Sequence, residues 1–221
     1  MIYWTPWNGH ASKTYVSSQS MKGSVIAFIS APGVGTSFLT KQMSCRHSAP
    51  GFFEGEEGIF TPSILSVLNN EVDTPERYDW LAGRTKLMLE RAHAIADIGI
   101  TSYVDGDVLL MEVWLEVEIG TQSPPMLKQW LEANEYLMAD IVIVLVASEE
   151  KMKENIIRRG RESEQTDFIK ERAARIGRAC EQLAEKYAHV AVVDRSDLEF
   201  TDTKALEHID EVIRRTPTRQ K

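Results

Sequence analysis

Ser24-Val-Ile-Ala-Phe-Ile-Ser30, followed directly by Ala31-Pro-Gly33-Val34-Gly35-Thr36-Ser37, is the stretch whose reading decides the fold. Its first seven residues are a continuous apolar run with β-branched side chains, the texture of a strand buried on both faces. The run ends in a turn rich in glycine and proline, and Gly35 to Ser44 then reads as a helix. A strand, a glycine-rich turn and a helix, in that order, make an anion site for a stated reason. Glycines let backbone N–H groups converge on one point, and the helix N-terminus adds positive potential there. Set against the pattern G-x-x-x-x-G-K-[ST], Gly35 and Ser37 fit, Ser30 replaces the first glycine, and Thr36 stands in the lysine position. We read Gly33, Val34, Gly35, Thr36 and Ser37 as a nucleotide-phosphate loop, with the Ser37 hydroxyl as a ligand for Mg²⁺. The missing lysine removes a point charge from the place where phosphoryl transfer most needs one. A strand–helix turn that holds no ligand is the open alternative.

Outward from the loop, strands and helices alternate. Gly51 to Glu54 reads as a short second strand, Pro62 to Asn70 as a short helix, and Pro75 to about Ile98 as a long helix stopped by Gly99. Thr101 to Asp105 is a third strand, with a helical stretch from Val108. Pro124 to Ala139 reads as a helix before the strand Ile141 to Ala147, and a further helix runs to about Arg159. Phe168 to Tyr187 has apolar residues at helical spacing. Val190 to Asp194 is the last strand and Thr203 to Arg215 the last helix. The clearest strands are apolar throughout, which implies a parallel sheet covered on both faces. The expected architecture is an α/β three-layer sandwich of the P-loop NTPase type, with a five-stranded parallel sheet. Residues 1–23 are expected to be an extension carrying Trp4 and Trp7, 24–215 the domain, and 216–221 a basic tail.

Composition narrows the classes. The chain has 221 residues, 43% of them hydrophobic and 26% charged, ordinary for one globular domain. No apolar run reaches the ~20 residues that span a bilayer, and the N-terminus lacks the basic-then-apolar order of a signal peptide. Two distant cysteines, Cys45 and Cys180, make neither a disulfide framework nor a metal knuckle, so a reducing cytoplasm is expected. A formal net charge of −8 argues against broad nucleic-acid binding. Five scattered histidines show no metal-ligand spacing.

From Ser24 to about Ile213 the sequence resembles the deoxynucleoside kinases, within the thymidylate-kinase-like P-loop group. Phe52-Phe-Glu54, then Pro62-Ser-Ile-Leu, then Pro75-Glu-Arg-Tyr, follow that family's second strand and substrate helices. The resemblance implies Glu54 as the base that takes the proton of the sugar 5′-hydroxyl; a solvated acidic loop is the plainer reading, since Glu56 and Glu57 follow. Tyr103-Val-Asp105-Gly106-Asp107 stands where the family has Asp-Arg-Ser. It implies a catalytic or Mg²⁺-holding Asp105, with a helix N-cap as the alternative, and it puts Gly106 in place of the arginine. Ile156-Ile-Arg158-Arg159-Gly-Arg161 resembles the arginine-rich lid that closes over ATP, where guanidiniums act as forked phosphate donors. Along Tyr78-Asp-Trp80-Leu-Ala-Gly83-Arg84 the family's base-reading glutamine falls at Gly83, so Trp80, Gly83 and Arg84 are the expected substrate pocket. For Trp80, core packing competes with stacking on a base.

Three functions follow as expectations. The first is a phosphotransferase using ATP (or another NTP) and Mg²⁺ on a hydroxyl of a deoxynucleoside or nucleotide. The second is a phage-type kinase of 5-hydroxymethyluracil in DNA, acting in a host cytoplasm. The third is a catalytically weakened nucleotide-binding or interaction protein. A homodimer is expected from the family, and no membrane partner.

Overall fold

The structure, a computed structural model, describes residues 23–53, 74–114, 117, 125–159 and 167–220. Five strands are present: β1 (Val25–Ser30), β2 (Gly51–Phe52), β3 (Ser102–Asp105), β4 (Ile141–Val146) and β5 (Val190–Asp194). Between and after them come α1 (Thr36–His47), α2 (Thr74–Asp97), α3 (Val108–Trp114), α4 (Pro125–Asn134), α5 (Glu149–Arg159), α6 (Asp167–Lys186) and α7 (Thr203–Arg215). The sheet is wholly parallel in the order β2-β3-β1-β4-β5, the expected α/β architecture.

The apolar runs explain this order. Val25 to Ile29 and Ile141 to Leu145 are buried on both faces, and these two strands take the central positions, where both edges are paired as well. β5 at one edge keeps Val192 and Asp194 exposed, and β2 at the other edge is only two residues long. One face of the sheet is covered by α1 and α7, which are joined across their ends by Arg46 Nε on Asp210 Oδ2 at 2.9 Å. The other face carries α2 and α6. In α6 the buried residues Ala173, Ile176, Cys180 and Leu183 recur at helical spacing and face the strands.

One expected element is shorter than its sequence reading. The expected helix Pro124 to Ala139 stops at Asn134 and continues as one 3-10 turn, Glu135–Leu137. Asn134 returns its own Nδ2 to the Trp130 carbonyl at 2.7 Å, and Met138 leaves the helix in an extended conformation. Within the expected basic tail, Arg219 is tied to the domain. Arg219 donates its backbone N–H to Asp140 O at 2.8 Å and sets its guanidinium near Glu135. Of the histidines, His189 is buried against Tyr187, whereas His47 pairs with Asp210 near the surface. The expected helix Pro62 to Asn70 and the tryptophans of the N-terminal extension lie outside the described residues.

The sheet order matters for function. The chain leaves β1 toward β2 and β3, and later comes back to β4 on the other flank of β1. In open α/β sheets, the crevice above the carboxyl end of such a strand is where ligands sit. Ser30 and the glycine turn are at that end.

Candidate phosphate site

The loop after β1 is held in a conformation that only glycine accepts readily. Gly33 has φ 87° and Gly35 φ 107°. A Cβ at Gly33 would lie 2.8 Å from Ile156 Cγ1 and 3.3 Å from the Met152 carbonyl, so α5 packs directly on the turn. Ser30, by contrast, is not among the positive-φ residues, so a side chain costs nothing there. That accounts for serine at the first pattern position: the backbone does not ask for glycine. Gly35 is the N-cap of α1 and has no side chain to cap with. The first-turn N–H groups of α1 therefore meet no side-chain acceptor from that residue, which is what an anion needs.

Two loop carbonyls are tied to other elements. Asn155 of α5 donates Nδ2 to Gly33 O at 3.0 Å. Arg195, just past β5, donates Nη1 to Val34 O. Arg195 is 4% exposed, lies with its guanidinium carbon 4.5 Å over the Phe200 ring, and has Glu199 at 4.0 Å. Burial pulls its pKa down from the ordinary guanidinium value, and the neighbouring Glu199 opposes that pull. Glu199 in turn is held below the usual carboxylate range, first by its hydrogen bond from Lys151. The sequence reading missed Arg195. Its only signal was position: a basic residue directly after the last strand, at the carboxyl edge of the sheet.

Asp105 ends β3 opposite Phe28, two residues before Ser30 on the neighbouring strand, and is buried. The helix-capping role that competed for it belongs to Asp107. One carboxylate oxygen of Asp107 accepts Leu109 N at 2.9 Å, capping α3, and the other accepts Ala139 N at 2.8 Å. Burial pushes the Asp107 carboxyl up to about 6, against the downward pull of those two N–H groups and of Arg219. Between the two acids, Gly106 has φ 124°. An arginine at this position, as in the family's Asp-Arg-Ser, would be strained in that backbone. The departure is therefore one of main-chain path as well as of side chain.

The expected substrate residues sit on α2. Trp80 and Arg84 are buried, with the Arg84 guanidinium 5.3 Å from the Trp80 ring centroid. Arg84 Nη2 donates to Phe53 O at 3.1 Å, tying α2 to the end of β2. Gly83 is different: among the described residues it is exposed, and a Cβ there would meet nothing within 4 Å. Glu54 and Arg161 lie outside the described residues, as does the side chain of Arg159. Arg158 is exposed on α5 and donates to Asn155 at 3.2 Å.

The residues expected to hold Mg²⁺ are a hydroxyl, Ser37, and a carboxylate, Asp105, both of the hard oxygen type that this ion takes. Among the described residues no group of three or more His, Cys, Asp or Glu could hold a metal. That suits Mg²⁺, which usually takes one or two protein oxygens and completes its shell with phosphate and water. A cavity of about 160 Å³ lies on the α6 side of the loop, between Val34, Ala147, Met152 and Gly177. It is smaller than the ~300 Å³ lower bound of ordinary ligand pockets.

No family model matches the sequence, and no curated protein matches it. Solved structures do resemble the fold. A deoxyadenosine kinase from M. mycoides, with products dCMP and dCDP bound, superposes with a TM-score of 0.66 at 18% identity, over 86% of this chain and 98% of that one. Thymidylate kinase from Ehrlichia chaffeensis gives 0.59 at 11% identity, over 86% and 98%. Thymidylate kinase from Candida albicans gives 0.57 at 12% identity, over 90% and 96%. The chain thus has the fold of the deoxynucleoside and thymidylate kinases, a P-loop kinase fold. No helix of the described residues is long and apolar enough to cross a membrane.

Proposed function

We propose that the chain is a phosphotransferase that moves the γ-phosphoryl group of ATP, or another nucleoside triphosphate, to a hydroxyl of a deoxynucleoside or nucleotide. The observation that carries this reading is the loop itself: Gly33 and Gly35 at positive φ, at the end of a central strand, opening an uncapped helix. The bound nucleotides of the neighbouring structures, dCMP and dCDP or dATP, support the substrate class.

In this reading the amides of Gly35, Thr36 and Ser37 receive the β- and γ-phosphates. Ser37 and Asp105 would hold Mg²⁺, which when bound neutralises charge on the phosphates. The acceptor hydroxyl gives its proton to the Glu54 carboxylate, a role that rests on the family resemblance. Its oxygen bonds to the γ-phosphorus while the bond to the bridging β–γ oxygen breaks, and the diphosphate leaves. Arg158, Arg159 and Arg161 of the lid segment clamp the phosphates during transfer. The working unit is residues 24–215, in a cytoplasmic homodimer.

A second reading, nucleotide binding without transfer, is favoured by Thr36 in the lysine position and by the strained backbone an arginine would need at Gly106. The protein is incubated with γ-labelled ATP, Mg²⁺ and, in turn, deoxynucleosides, deoxynucleoside monophosphates and DNA containing 5-hydroxymethyluracil. Label on a deoxynucleoside or its monophosphate supports the proposal. Label on the DNA alone moves the acceptor from free nucleoside to polymer. ATP binding with no labelled product establishes the second reading.

A further inference from the structure

We infer that Arg195 is the cation of the phosphate loop: a residue from the far end of the fold, standing in for the lysine that Thr36 displaces. The inference deepens the nucleotide-binding reading and rests on it.

Four observations converge on this residue. First, the loop's own cation position holds an uncharged threonine. Second, the Arg195 guanidinium reaches the same loop from after β5, bonding Val34 O. Third, it lies against the residue that precedes Thr36: a Cβ built on Gly35 would be 2.5 Å from Arg195 Nη1. The absence of a side chain at Gly35 thus serves both the backbone conformation and the approach of this guanidinium. Fourth, its charge is incompletely answered. Among the described residues Arg195 Nε is buried without a hydrogen-bond partner; Glu199 sits 4.0 Å away and also pairs with Lys151, and Glu154 is a second acid acting on it.

A buried cation beside a helix N-terminus acts through a medium of low polarisability, so its field at the phosphate position is little screened. A purely structural brace has less use for a charge. The Val34 carbonyl could be satisfied by a neutral donor, as Asn155 satisfies that of Gly33. Arg195 therefore has two tasks, fixing the path of the loop and supplying positive potential to it. Since the bond is to a loop carbonyl, we class it as a positioning residue whose charge selects for polyphosphate. The ligand chemistry that follows is a nucleoside tri- or diphosphate held chiefly by its phosphate end. The free nucleoside gains nothing from this charge.

The test is calorimetric titration of the full chain with Mg·ATP and with inorganic tripolyphosphate, on the wild type and on Arg195→Met, Arg195→Lys, Thr36→Lys and the Arg195→Met/Thr36→Lys double variant. Arg195→Met is expected to weaken both ligands at least about tenfold, Arg195→Lys less, and the added Thr36→Lys to recover much of the loss. In the otherwise wild-type chain Thr36→Lys is expected to gain less than about threefold, because the charge is already present. That arm stands even if Arg195→Met does not fold. Wild-type binding that Arg195→Met leaves intact overturns the inference. So does a loss that Thr36→Lys does not relieve, or a gain of tenfold or more from Thr36→Lys alone. Failure of the wild type to bind either polyphosphate overturns the nucleotide reading itself.

Discussion

On the β4–β5 flank of the loop, the carbonyls of Gly33 and Val34 are each taken by a side chain from another element, Asn155 and Arg195. On the β3 flank, Gly106 runs at φ 124°, and among the described residues a Cβ at Gly83 would meet nothing within 4 Å. Both flanks depart from the kinase pattern the sequence resembles, but in opposite ways. In the proposed reading the donor flank exchanges the lysine of the pattern for Arg195, with the loop glycines at positive φ. In the same reading the acceptor flank carries glycine at two positions, Gly83 and Gly106, where the kinase pattern has glutamine and arginine.

The tie between the flanks is the place to break the comparison hardest. Asp107 caps α3 on the acceptor side and holds Ala139 where the chain enters β4. Asp107→Ala leaves two buried N–H groups without acceptors, and should cost about 3 kcal/mol, or roughly 6–12 °C in a chain of this size. Thermal melts and urea titration check this; a loss below about 1 kcal/mol would detach Asp107 from the account. Next comes the donor flank alone. Gly35→Ala forces a side chain onto φ 107° and into Arg195. It should cost about 1–3 kcal/mol in stability and weaken Mg·ATP at least about tenfold by calorimetry.

A smaller effect is expected at Asn155. Removing its bond to Gly33 O by Asn155→Ala should cost about 1 kcal/mol, part of it seen as a nucleotide Kd raised by about two- to fivefold. The smallest effect belongs to the acceptor flank. Gly83→Gln replaces an exposed glycine within α2 and should stabilise by about 0.5 kcal/mol, since glycine is a poor residue inside a helix. Its consequence for activity should fall on the acceptor KM, with that for ATP unmoved. An equal change in both would mean that Gly83 does not belong to an acceptor pocket.

Much of the fold was legible. Val25 to Ile29 and Ile141 to Leu145 are apolar throughout because they are buried on both faces, and that pattern needs no tertiary knowledge. The loop was legible because its glycines answer a backbone demand, borne out by φ at Gly33 and Gly35. Element ends were less so. Asn134 ends α4 through a bond to Trp130 four residues back, a local competition that apolar spacing does not register. In the site, Asp105 and Asp107 lie two residues apart and no periodicity separates them. The cap went to Asp107 because β3 extends through Asp105. Arg195 was out of reach for a different reason: its partner, Val34, is 161 residues away in the chain. Only the folded sheet, which brings the ends of β1 and β5 to one edge, puts them together.

The central claim, that residues 30–37 cradle nucleotide phosphates, is tested most directly by following backbone amide resonances while Mg·ATP is added. The largest saturable shifts are expected at Gly35, Thr36 and Ser37, with the Arg195 side-chain resonances moving at the same ligand concentration. Saturable shifts elsewhere in the molecule, with the loop amides unmoved, would contradict it.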